Sequence, residues 1–92
     1  MTLRVVWTSR FKKDYKTAIK RGLDINKLDD IIVSLASGIP LLPNQKDHAL
    51  SGDYAGFREC HIEPDWLLVY AIDGNELILT LARTGSHSDL FN

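Results

Sequence analysis

The sequence predicts an α+β domain of order β-α-α-β-β-β, in which a helical hairpin packs on one face of a mainly antiparallel sheet. Three observations carry that prediction. Two segments of the first half, around Phe11–Ile19 and Ile25–Ala36, each show a single apolar stripe at helical spacing. The run Leu67-Leu68-Val69-Tyr70-Ala71-Ile72 is apolar at both parities, as befits a strand covered on both faces. Asp73-Gly74, directly behind it, is the best hairpin signal in the chain, because a type I′ turn takes positive φ at both central positions.

Taken in order, Leu3-Arg4-Val5-Val6-Trp7 is β-rich and short and forms the first strand. Thr8 or Ser9 caps the first helix, whose buried stripe is Phe11, Tyr15, Ala18 and Ile19. Lys13 and Lys20 fall opposite that stripe, and Lys12 and Lys16 flank it. Gly22 suits the position just past the helix end. Asp24 caps a second helix with Ile25, Leu28, Ile32, Leu35 and Ala36 on one face, and Gly38 and Pro40 stop it. So few residues separate the helices that they form an antiparallel hairpin, and each stripe needs a sheet to lie on. Pro40 to Asp47 is a loop; His48-Ala49-Leu50 follows, then the turn cluster Ser51-Gly52-Asp53. From Gly56 a strand runs through His61, with Arg58, Cys60 and Ile62 on one side and Phe57, Glu59, His61 and Glu63 on the other. Pro64 lacks an N–H and presets φ, so Glu63-Pro64-Asp65 turns the chain into the central strand. Glu76 to Arg83 is the last strand and Thr84-Gly85 breaks it. Ser86, with Asp89 three residues on, resembles a capping box that opens a helical turn over His87 to Phe91.

Ninety-two residues suffice for one core, and so for a single domain over 1–92. The apolar and charged fractions, 45% and 25%, are those of a soluble globular chain. No apolar run reaches membrane-spanning length and the start shows no signal-peptide pattern, so a cytoplasmic protein without a membrane partner is expected. Cys60 is the single cysteine, which excludes an internal disulfide and a cysteine-based metal cage; in a strand it reads as a small buried hydrophobe. A net charge of -1 argues against a generic nucleic-acid coat. The basic residues are nevertheless concentrated between Arg10 and Arg21, with Asp14 the one acid among them. Such a patch meets phosphates locally while steering by the whole molecule stays weak, and it equally fits a solvated helix face.

With a two-residue loop at Asp73-Gly74, residues whose numbers sum to about 147 lie opposite one another. Arg83 then returns level with Pro64, beside His61, Asp65 and Trp66, and the tail brings His87 and Phe91 to the same rim. His61 shares the face of Arg83 only if the Pro64 turn has a suitable length or a bulge. These residues suit RNA strand cleavage through the 2′-hydroxyl, which needs a base for that hydroxyl, an acid for the departing 5′-oxygen and a cation at phosphorus. Histidine serves as either proton carrier near neutrality, and arginine forks onto phosphate oxygens. Trp66 and Phe91 offer rings on which bases stack. Each residue also has a plain structural role: Trp66 as core, Arg83 bridged to Asp65, His61 as a half-buried hydrogen-bonded side chain, Phe91 as a plug for the sheet's end. His48, His61 and His87 match no compact zinc spacing, so neither metal nor cofactor is expected.

DHALSG from Asp47 to Gly52, RECHIEPDWLLVY from Arg58 to Tyr70, RTGSHSDLF from Arg83 to Phe91 and FKKDYK from Phe11 to Lys16 together resemble the YafQ branch of the RelE/ParE toxin superfamily, over nearly the whole chain. The resemblance implies a RelE-like fold and the toxin half of a type II toxin–antitoxin pair. It implies an endoribonuclease that cuts messenger RNA in the ribosomal A site and is neutralised by a cognate antitoxin in a hetero-oligomer. It places His48, His61, Asp65 and His87 in the active site, with Arg83 on the scissile phosphate and Trp66 and Phe91 flanking it. His87 near a helix N-terminus has its cationic form disfavoured, which suits a base, yet related toxins with a histidine near the C-terminus use it as the acid. The expected division is His87 as acid, its cation restored by the phosphate, with His48 or Asp65 taking the 2′-proton. Toxins of this superfamily are often clearly basic. For a near-neutral chain the ribosome supplies most of the positioning, and Lys12, Lys13, Lys16 and Lys20 touch ribosomal RNA. Two other readings compete. A ParE-like binder of DNA gyrase shares the architecture but has no need of three histidines and an aspartate. A degenerate member surviving only as an antitoxin's partner is opposed by the filling of every matching position.

Overall fold

Both helical stripes come to rest on the same side of one sheet, as their spacing requires. The computed structural model describes residues 2–91, in the order β1 (Arg4–Trp7), α1 (Ser9–Lys20), α2 (Ile25–Ala36), β2 (His48–Ala49), β3 (Arg58–Glu63), β4 (Trp66–Asp73), β5 (Ile78–Gly85) and α3 (His87–Phe91). Among the described residues the strands form a five-stranded sheet, β1-β5-β4-β3-β2, with β1 parallel to β5 and the other pairs antiparallel. The expected architecture is present, with one addition: His48-Ala49 pairs with β3 and extends the far edge.

The caps act as the sequence indicates. Thr8 accepts the Phe11 N–H at 3.0 Å, satisfying a first-turn donor of α1, and Asp24 accepts that of Asn26 at 3.2 Å for α2. Gly22 and Gly38 follow the helices at φ 75° and 73°, where a Cβ would be strained. Phe11 and Ala18 of α1 and Leu28, Ile31, Ile32, Leu35 and Ala36 of α2 are buried against Cys60, Trp66, Leu68, Tyr70, Leu79 and Leu81. Each fully buried Phe or Leu contributes about 1.5–3 kcal/mol. Ile19, expected in the stripe, is exposed: it sits about 100° round the helix from Ala18, and α1 buries only a narrow face. A smaller apolar cluster of Leu67, Val69 and Leu90, with Leu50, Tyr54, Phe57 and Ala82 against it, occupies the opposite face.

The link between β4 and β5 differs from the tight turn that Asp73-Gly74 suggests. The Asp73 carboxylate accepts the N–H groups of Asn75 and Glu76 at 2.9 and 3.1 Å, and Leu77 rather than Gly74 takes positive φ, at 56°. β5 therefore starts at Ile78, opposite Asp73, and runs through Thr84-Gly85 instead of ending at Arg83. With a further register shift beside Val69, Arg83 lies opposite Val69 and not level with Pro64. Where β1 stops, α1 covers the edge of β5. The Thr8 hydroxyl donates to Ala82 O at 3.0 Å, and Asp14 accepts the Thr84 N–H at 3.1 Å.

Candidate active site

Residues directly opposite one another in a sheet share a face. His48 pairs with Glu59, Glu59 with Val69, and Val69 with Arg83; in the adjoining row His61 pairs with Leu67, and Leu67 with Gly85. His48, Glu59, His61 and Arg83 thus stand on the face away from α1 and α2, over a floor of Leu67 and Val69. The bulge that brings His61 into line falls at Ile62, between the paired residues His61 and Glu63. Gly85 then leads into α3. There Ser86 and Asp89 cap each other reciprocally, the Ser86 N–H donating to Asp89 at 2.9 Å and the Asp89 N–H to the Ser86 hydroxyl at 3.1 Å. This box sets His87 over the same face, its ring centroid 5.9 Å from that of His61 and 6.4 Å from that of Phe91. Phe91, exposed, meets Tyr54 edge-on at 5.5 Å.

Asp65, in the turn between β3 and β4, belongs to His87. Its Oδ1 accepts the His87 backbone N–H at 3.0 Å and lies 2.9 Å from Nδ1. The backbone bond, then the ring bond, hold the Asp65 carboxyl below the usual carboxylate range. The negative charge that offsets the α3 N-terminus is therefore built into the protein and does not wait for a phosphate. With Nδ1 held, Nε2 of His87 faces outward. On the other flank, Nδ1 of His48 lies 2.7 Å from Lys46 O and Nδ1 of His61 lies 3.2 Å from Pro64 O. Nε2 of each is 3.7 Å from Glu59 Oε1. Half of the His48 side chain is exposed, against 16% for His61. A groove of about 300 Å³ between Leu42, Lys46 and Pro64 opens beside His61.

Arg83 does not bridge to Asp65. Its Nε donates to Asp14 Oδ2 at 2.7 Å and its Nη2 to Oδ1 at 3.4 Å, which fixes the guanidinium plane and keeps its pKa above the ordinary value. Tyr54 faces the same guanidinium, which links it to the Phe91 end of the cluster. Trp66, expected to flank the site, does not. It is 2% exposed on the helix face, and its Nε1–H donates to Thr84 Oγ1 at 3.0 Å, so its ring is core and offers no stacking surface to a base. Lys12, Lys13, Lys16 and Lys20 stand exposed on α1 and lie outside the cluster; no ion pair among the described residues includes them.

Three participants escape a reading by motif: Glu59, Asp14 and Tyr54. Glu59 was detectable, since i and i+2 in a strand share a face and His61 is two residues on. Asp14 had a weaker signal as the lone acid in a basic helix. Tyr54, at the end of a single 3-10 turn, had none.

Comparison with known proteins finds relatives of this chain along nearly its whole length. A family described as the bacterial toxin of type II toxin–antitoxin system, YafQ, matches residues 3–92. The mRNA interferase toxin YafQ of Escherichia coli strain K12 is 39% identical over 88 residues, covering 95% of this chain and 94% of that protein. Among solved structures, the E. coli DinJ–YafQ toxin–antitoxin complex gives a TM-score of 0.91 at 36% identity, over 100% of each chain. A metal-bound toxin from Helicobacter pylori also gives 0.91, at 46% identity, over 97% of this chain and 99% of that one.

Proposed function

This chain belongs to the YafQ family of bacterial type II toxins, and from that premise we propose that it is a ribosome-dependent mRNA endoribonuclease whose proton traffic runs between His48 and His87. The observation that carries the reading is the gathering of His48, His61, Arg83 and His87 on one open sheet face.

His48 takes the proton of the ribose 2′-hydroxyl on Nε2, being the more exposed of the two histidines on that flank. The 2′-oxygen attacks phosphorus, a 2′,3′-cyclic phosphate forms, the P–O5′ bond breaks, and the 5′-oxygen takes a proton from Nε2 of His87. The step balances in protons and charge and calls on no metal. Asp65 is the partner that orients His87, since its Oδ1 is already committed to two N–H groups there. That leaves the base role to His48. Arg83, clamped by Asp14 through Nε and Nη2, presents its remaining edge to the phosphate. Phe91 supplies a ring against the nucleotide. A cognate antitoxin is the neutralising partner, as DinJ is in the E. coli complex.

Primer extension on translating ribosomes tests the reading. Wild type gives defined cuts in mRNA, and His48→Ala and His87→Ala each lower the rate by about 10²–10⁴-fold. Of the variants, only His87→Ala loses the alkaline limb of the pH–rate profile; that loss in any other would move the acid elsewhere. DNA damage without mRNA cuts would replace the nuclease with a gyrase binder.

A further inference from the structure

Glu59 is a carboxylate on the site's face for which the mechanism above has no use. It is 5% exposed, and a buried carboxylate calls for a reason. Among the described residues its charged neighbours at ion-pair distance are His48, on β2, and His61, two residues along β3. The row continues through Val69, which does not titrate, to Arg83, itself held by Asp14. Arg58 and Asp47 pair with each other, with Arg58 Nε 3.2 Å from Asp47 Oδ1.

The two rings are presented alike. In each, Nδ1 faces a backbone carbonyl, at 2.7 Å for His48 and 3.2 Å for His61. A carbonyl only accepts, so Nδ1 carries the hydrogen and Nε2 of the neutral ring is a bare lone pair. Each Nε2 lies 3.7 Å from the same oxygen of a buried carboxylate. That distance is too long for an N–H···O bond, so Nε2 stays open to an incoming hydroxyl. It is short enough for attraction to the imidazolium that forms once a proton has been taken, screened by water at half-exposed His48 and less so at His61.

We propose that Glu59 is a positioning residue that makes this flank of the site the proton-accepting one, by stabilising positive charge on the rings of His48 and His61 without touching the RNA. The proposal rests on the nuclease reading above. It gives the site two carboxylates with opposite tasks: Asp65 holds the acid His87 through Nδ1, and Glu59 waits behind the Nε2 atoms of the base side.

Single-turnover cleavage on mRNA-programmed ribosomes separates this from a scaffold role, with Glu59→Gln, Glu59→Asp and His87→Ala compared over a range of toxin concentrations. Glu59→Gln keeps size and polarity but not charge. It should unfold at the wild-type temperature, lose about 10–100-fold in the rate at saturation and keep its half-saturating concentration within about twofold. Glu59→Asp keeps the charge and should recover most of the rate. A Gln variant as fast as wild type, one that fails to fold, or Gln and Asp variants equally impaired would overturn the role of Glu59. In those cases a slow His87→Ala leaves the nuclease reading standing, whereas a His87→Ala as fast as wild type removes the reading itself.

Discussion

At the scale of single residues, what separates function from scaffold is which face of the sheet a side chain points to. Trp66 and His61 stand near the same turn and in the same short stretch of sequence, yet Trp66 is core and His61 belongs to the polar face. Trp66→Phe should therefore act on stability: it removes the bond to Thr84 Oγ1 at a cost of about 1–2 kcal/mol, read by denaturant unfolding, and leaves cleavage by the folded fraction intact. Phe91→Ala should do the reverse, leaving stability within about 1 kcal/mol of wild type and impairing cleavage. If Trp66→Phe is the one that abolishes cutting, the tryptophan reaches RNA after all. Cys60 offers a second check. Burial pushes its thiol up to about 12, so a thiol reagent at pH 8 should leave the native protein unmodified and label it only on unfolding.

At the scale of elements, α3 is the piece that completes the candidate site, and it is held by Asp65 at His87, by Arg21 at Asp89 and by the burial of Leu90. Asp89 accepts from Ser86 and from Arg21, whose Nη1 lies 2.6 Å away, and these bonds hold its carboxyl well below the usual carboxylate range. A depressed carboxylate contributes stability that is complete above its unfolded value, about 3.9, and is lost as pH falls through the folded one. Asp89→Asn should accordingly lower the melting temperature at pH 7, with the gap to wild type closing only below about pH 4. A gap that closes between pH 6 and 8 would point to a histidine instead. Gly85→Ala attacks the same joint: a Cβ there would come within 2.9 Å of both Cβ and Oδ2 of Asp89. Loss of the cap should cost about 0.5–2 kcal/mol and displace His87, so cleavage falls more than stability does. The parallel place of β1 beside β5 was not legible, whereas the helices, caps, the β3-β4-β5 meander and the α3 capping box were, because each is written in residues close in sequence. The β4–β5 register was not. Asp73-Gly74 looked like a two-residue turn, but the Asp73 side chain organises a longer loop and Leu77 takes the positive φ, choices that depend on how β5 packs. The site still assembled because the longer link and the shift beside Val69 put Arg83 in the same row as Glu59 and His48.

At the scale of the whole molecule, the candidate site and the basic residues of α1 are distinct surfaces. The cluster of histidines faces one way, while the lysines of α1 stand on the side covered by the helices. With a net charge of -1, the protein has little long-range attraction for free RNA, so its productive encounters depend on a local patch. Lys12, Lys13, Lys16 and Lys20 are exposed and free of ion pairs among the described residues, which leaves their charge available to phosphates of a large partner. Reversing two of them, Lys13→Glu with Lys20→Glu, removes nothing from the core and should leave the unfolding midpoint unchanged. It should raise the concentration of toxin needed to half-saturate cleavage on ribosomes by about tenfold or more at 0.1 M salt, with the rate at saturation preserved and the salt dependence flattened. Cleavage unchanged in both parameters would return the lysines to a solvated helix face. A fall confined to the rate at saturation would mean instead that α1 acts through Asp14 and its hold on Arg83.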